Sequence, residues 1–121
     1  MTVAEVLEKV KDRKPNAYTD HTLLDWLNEI EATVQKELLD TMPEGIREYQ
    51  IEKDMEEELL LPRPFNALYV TYIISMIEFN QQEFDAYNNT ADLFNTQYDE
   101  AKKYYNEKYP KTTRLKVKNY M

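Results

Sequence analysis

The 121-residue chain contains no cysteine and a single glycine, Gly45. The first absence excludes a disulfide framework and the common thiolate zinc sites. It also fits a reducing compartment. The second removes the glycine-rich loops that cradle phosphates. It disfavours sheet-rich folds as well, because their tight turns draw on glycine. Only one histidine occurs, His21. A di-metal carboxylate bundle needs Glu-x-x-His on two helices, so that class is excluded. Alone in the first turn of a helix, His21 reads as a surface residue rather than a general base. Asp25 and Glu29 stand one helical turn apart on a solvated face, a pairing too common to signal catalysis. The expectation is a protein with no enzymatic activity, no catalytic or metal site and no cofactor. Long apolar runs are missing too. The most apolar stretch, Phe65 to Phe79, includes Glu78 and falls short of the ~20 residues a bilayer requires. Met1 to Val10 is interrupted by Glu5, Glu8 and Lys9, unlike a secretory leader. No membrane association is expected.

Charge is plentiful and unevenly placed. The formal net charge is −8. Beyond Pro110 the chain carries Lys111, Arg114, Lys116 and Lys118 with no acid, a local +4 that leaves −12 on the rest. An acidic body argues against ordinary nucleic-acid binding, which needs clustered Lys and Arg. The length suits one domain with a modest core. We divide the chain into a helical domain, residues 1–110, and a basic C-terminal arm, residues 111–121.

The periodicity predicts a mainly α fold, a small bundle of about four helices ending in a long helical hairpin. Thr2 and Glu5 form a capping box before Val3, Val6, Leu7 and Val10, which share one face of a helix over Val3–Asp12. Thr19 or Asp20 caps a second helix over Thr22–Thr41. Its buried stripe is Leu23, Leu27, Ile30, Val34 and Leu38, with Glu29, Glu31, Gln35 and Lys36 read as lying away from it. Met42-Pro43-Glu44-Gly45 stops the pattern. Ile46 to Leu61 reads as a short β-hairpin or a loop, with Glu52 to Glu58 as a solvated charged face. A third helix, Phe65–Gln81, follows Pro64 and is apolar around most of its circumference; its polar residues Thr71, Ser75, Glu78 and Gln82 form one narrow stripe. Such a helix must be covered on several sides, and a small domain can barely supply that cover alone. The fourth helix, Phe84–Tyr109, carries Phe84, Tyr87, Ala91, Phe94, Tyr98, Ala101 and Tyr105 at alternating spacings of three and four. Packed on the third helix, that seam makes an antiparallel hairpin. The expected core is Leu23, Leu27, Ile30, Val34, Leu68, Tyr72, Ile73, Met76, Phe84, Tyr87 and Phe94. In the arm, Leu115, Val117 and Tyr120 alternate with Arg114, Lys116 and Lys118, a pattern suited to adding onto another surface.

A set of short segments carries a family resemblance. These are Trp26-Leu27-Asn28-Glu29-Ile30-Glu31, Leu60-Leu61-Pro62-Arg63-Pro64-Phe65, Leu68-Tyr69, Tyr87-Asn88-Asn89 and Leu93-Phe94-Asn95. In this order they resemble the small head–tail connector proteins, also called adaptors or DNA-packaging neck proteins. Those belong to long-tailed double-stranded-DNA bacteriophages and prophages, especially of Gram-positive bacteria. The resemblance spans roughly Ala4 to Pro110, and Arg63 departs from it where a more apolar residue or a proline is expected. It implies a virion neck subunit, assembled in the host cytoplasm, that joins a ring under the portal protein after packaging. Its partners would be the portal, head-completion (stopper) or tail proteins and further copies of itself. DNA would pass through without specific binding, and an acidic channel wall would keep it from sticking. On this reading Asn88, Asn89 and Tyr104 serve lateral contacts beside Glu52–Glu58. Lys111, Arg114, Lys116 and Lys118 grip the portal or a neighbouring subunit. Two other readings compete: a soluble, antitoxin-like regulatory module whose aromatic surface binds one partner, and a small enzyme with an unrecognised carboxylate site.

Overall fold

The computed structural model describes residues 1–108. Four α-helices follow one another: α1 (Val3–Arg13), α2 (Asp20–Glu37), α3 (Ala67–Asn80) and α4 (Phe84–Lys108). A single 3₁₀ turn, Pro43–Gly45, lies between α2 and α3. The chain is a small all-α bundle, and no strand occurs among the described residues.

Local signals set the helix ends. The Thr2 side chain accepts the Glu5 N–H while Glu5 reaches back to the Thr2 N–H, closing a capping box. Thr19, rather than Asp20, caps α2. That helix ends at Glu37, short of the predicted Thr41, and the chain turns through Asp40 with φ 57°. Pro64 and Phe65 belong to a turn ahead of α3, in which Pro62 C=O accepts the Phe65 and Asn66 N–H groups. At the other end of α3, Gln82 takes φ 60°. There Glu83 N–H reaches Glu78 C=O and Gln82 N–H reaches Phe79 C=O, the paired bonds of a Schellman stop.

α3 is the axis of the bundle, touched by α1, α2 and α4. Leu68, Tyr69, Val70, Ile73 and Ile77 are buried around it. Thr71, Ser75 and Glu78 of its polar stripe are buried too, while Gln82, beyond the end of the helix, is exposed. Thr71 and Ser75 satisfy their hydroxyls on the Ala67 and Tyr72 carbonyls of their own helix. Over Leu68 to Ile77 the cover that α3 demands is thus supplied by this chain, and Phe79 near its C-terminal end stays half in solvent.

Leu23, Leu27, Ile30, Val34, Leu68 and Ile73 are buried, as the periodicity predicts. Tyr72, Met76, Tyr87 and Phe94 are half-buried. Phe84 is not core; it is 53% exposed, because it opens α4 at the tip of the α3–α4 hairpin. The sequence-based core omits Val3, Val6, Leu7 and Val10 of α1 and Ala101 and Tyr105 of α4, all buried.

Candidate interaction surface

Residues 46–61 form neither hairpin nor helix. They run as a strap across the bundle, and side chains of α2 hold them there. The Asn28 amide takes both the N–H and the C=O of Tyr49, at 2.8 and 3.0 Å. One face further along, the Gln35 amide does the same for Arg47, at 2.8 and 3.1 Å. Residues 47 and 49 are thereby bonded as a neighbouring strand would bond them, so the backbone needs no hairpin partner. Between these two amides sits Glu31, 0% exposed. Its carboxylate accepts the Tyr49 hydroxyl at 2.9 Å, the Tyr69 hydroxyl at 2.6 Å and the Leu60 N–H at 3.0 Å. Tyr69 in turn accepts the Leu61 N–H. Three donors compensate a charge that would otherwise be costly to bury. Burial, followed by the nearby Glu31 charge, pushes both tyrosines well above the usual phenol range. Periodicity places Glu31 and Gln35 away from the apolar stripe, yet both are buried, because the strap covers that side of α2. The far end of the strap closes on α1. Val3 and Ala4 N–H groups reach Glu57 and Met55 carbonyls, and Leu59 N–H reaches Met1 C=O.

α4 is held differently. Its seam lies on α3 through aromatic pairs, Tyr72 with Phe94 at 5.4 Å and Phe79 with Tyr87 at 5.2 Å between ring centroids, and farther along Tyr104 and Tyr105 meet Phe65 of the turn ahead of α3 at 4.9 and 6.3 Å. Tyr98 bonds Glu37 of α2, and Tyr72 bonds Glu29 at 3.1 Å. Burial and then Glu29 push Tyr72 up to about 12. Burial and then its bond to Glu37 raise Tyr98 as well. Burial along α4 increases from Phe84 toward Tyr105.

What this leaves outside is an open surface. Among the described residues no group of three His, Cys, Asp or Glu is placed to hold a metal ion. His21 is exposed, as are Asp25 and Glu29. An open depression of about 390 Å³ on α1 is lined by Glu5, Glu8, Lys9 and Asp12. Large apolar side chains stand in solvent at Phe79 (50%), Phe84 (53%) and Leu93 (52%). Asn88 and Asn89 are exposed on α4 near this group. Tyr104 lies 15 residues beyond Asn89, about 22 Å along the helix, so it shares no single patch with them. Its ring packs on Phe65 and its hydroxyl accepts a bond from Lys108. Glu52 and Glu56 are exposed on the strap, while Glu57 pairs with Arg47 and Glu58 with the Met1 ammonium. Lys111, Arg114, Lys116 and Lys118, like the 110/111 boundary, lie outside the described residues.

Sequence reasoning missed the hairpin tip as a surface, because Phe84 was assigned to the core. The signal was available: Phe84 follows a non-helical turn directly, where α3 has already ended. No helix is long and apolar enough to cross a membrane among the described residues. Comparison with family models, with curated proteins and with solved structures finds no match to this chain.

Proposed function

We propose that this chain is a structural subunit of a bacteriophage neck, one copy of a ring that joins the portal to the tail and extends the DNA channel. The proposal rests on the sequence resemblance, and the fold sorts its residues into two groups. Leu27, Ile30, Glu31, Leu61, Leu68 and Tyr69 are buried, so the bundle itself accounts for them. Asn88, Asn89, Leu93 and Asn95 are exposed. Leu93 is the observation that carries the reading: a leucine 52% exposed on α4 presents apolar area that a protein partner would cover. The −12 body suits a wall along which DNA slides, since like charges repel.

The test is to mix the purified chain with portal rings of the same phage and average the particles by electron microscopy. The expected result is an added ring of density below the portal, lost in Leu93→Asp. Portal rings left bare would overturn the reading. A one-to-one complex with a non-virion protein would favour the regulatory module instead.

A further inference from the structure

The tip of the α3–α4 hairpin combines two features. One is apolar: Phe79 and Phe84 pack edge to face at 6.1 Å, Phe79 also meets Tyr87, and both phenylalanines remain half in solvent. The other is an excess of negative charge. Lys14 serves two carboxylates, Glu83 at 2.5 Å and Glu78 at 3.8 Å. Glu78 is 6% exposed, and its Oε1 is buried without a hydrogen-bond partner. Two carboxylates thus share one ammonium, with a third acid, Asp85, exposed next in sequence to Phe84 and beside two half-open aromatic rings.

The only stretch of this sequence with the complementary composition is Arg114 to Lys118, in which Leu115 and Val117 alternate with three cations. We propose that this segment of one copy docks on the hairpin tip of another copy. Leu115 and Val117 cover Phe79 and Phe84, and the cations complete the charge around Glu78, Glu83 and Asp85. The strap is the other acidic surface, but its apolar residues Ile51 and Met55 are already half-buried and it exposes no aromatic ring.

Chain length excludes docking within one copy. Phe84 and Lys108 are 24 residues apart on a continuous helix, about 36 Å. Leu115 and Val117 lie seven and nine residues beyond Lys108, at most about 25 and 32 Å at full stretch. Neither reaches the tip of its own hairpin. The contact is therefore heterologous, arm to tip, and repeating it builds a closed ring if the rotation between copies closes. It extends the ring reading but forms between copies of this chain, with no portal required, so the two can fail separately.

The absence of cysteine makes the contact trappable. The full-length double variant Lys116→Cys/Asn88→Cys places one thiol on the arm and one on the exposed face of α4 just past Phe84. Mild oxidation should give a ladder of oligomers on a non-reducing gel. Adding Phe84→Ser, a change at an exposed site, should weaken the ladder about tenfold, equivalent to losing an anchor of ~1.4 kcal/mol. An internally closed monomer would show docking within one copy and overturn the proposal. So would a ladder insensitive to Phe84→Ser, an equal ladder from Lys116→Cys/Glu56→Cys, or no disulfide at all.

Discussion

The strap and the long helix α4 are fixed to the same bundle by opposite means. The strap has no helix or strand of its own: polar side chains of α2 satisfy the N–H and C=O groups of residues 47 and 49 and the Leu60 N–H, and backbone bonds to Met1, Val3 and Ala4 hold its far end. α4 satisfies its backbone internally and is attached through aromatic contacts with α3 and the turn ahead of it. The first arrangement is all-or-none, because removing an acceptor leaves buried donors stranded. The second is graded, because a half-buried ring loses only the area it had covered.

The largest effect that could break this comparison is at Glu31. Glu31→Ala leaves the Tyr49 and Tyr69 hydroxyls and the Leu60 N–H buried without their acceptor. At roughly 1–3 kcal/mol for each stranded group, the loss should exceed ~3 kcal/mol in urea unfolding. Glu31→Gln, which keeps one acceptor oxygen, should cost less. A loss below ~1 kcal/mol in Glu31→Ala would show that the strap is not held by this carboxylate.

Leu27→Ala and Ile73→Ala set the scale for ordinary packing. Both side chains are fully buried, and each substitution should cost roughly 2–5 kcal/mol.

Alkali should also act on the tyrosine–carboxylate bonds. Tyr72 ionises near 10.0 when free and is pushed up to about 12 by burial and Glu29. Tyr49, Tyr69 and Tyr98 are raised as well. A raised folded value means that the unfolded chain loses the phenolic proton first. The stability these groups contribute is therefore whole below pH ~10 and falls as pH rises toward 12. Melting temperature measured across that window should decline, and replacing Tyr72 with Phe should flatten the decline.

Smaller differences should appear along α4 itself. Phe94→Ala, at a half-buried seam position, should cost more than ~1 kcal/mol, while Phe84→Ala at the open tip should stay within ~0.5 kcal/mol. Equal losses would mean that the tip is packed as firmly as the middle. Last, Gln82→Gly should be neutral or gain up to ~1 kcal/mol, because φ 60° strains a residue with a side chain.

The four helices were legible because apolar residues recur at three and four, and Thr2, Thr19 and the prolines punctuate them. The strap's anchors were not. Asn28, Glu31 and Gln35 stand at i, i+3 and i+7 along the border of the apolar stripe, where a polar residue faces either solvent or a buried backbone. Only a strap laid over that border decides between the two. The surface was legible in kind but not in place. Sequence pointed to polar and aromatic residues of the fourth helix, whereas solvent exposure gathers the apolar ones at its N-terminal half and separates Tyr104 from them.

The central position of α3 also dictates the order in which the chain can fold during synthesis. When α1 and α2 have left the ribosome, the helix that joins them into one core has not yet been made. The first residues must wait for partners at 55–59, and Glu31 must wait for Tyr69. Long-range pairing of this kind slows folding and leaves the nascent halves apolar and unshielded. Translation must therefore pass Asn80 before α1 and α2 can close on α3, and α4 joins that core afterwards.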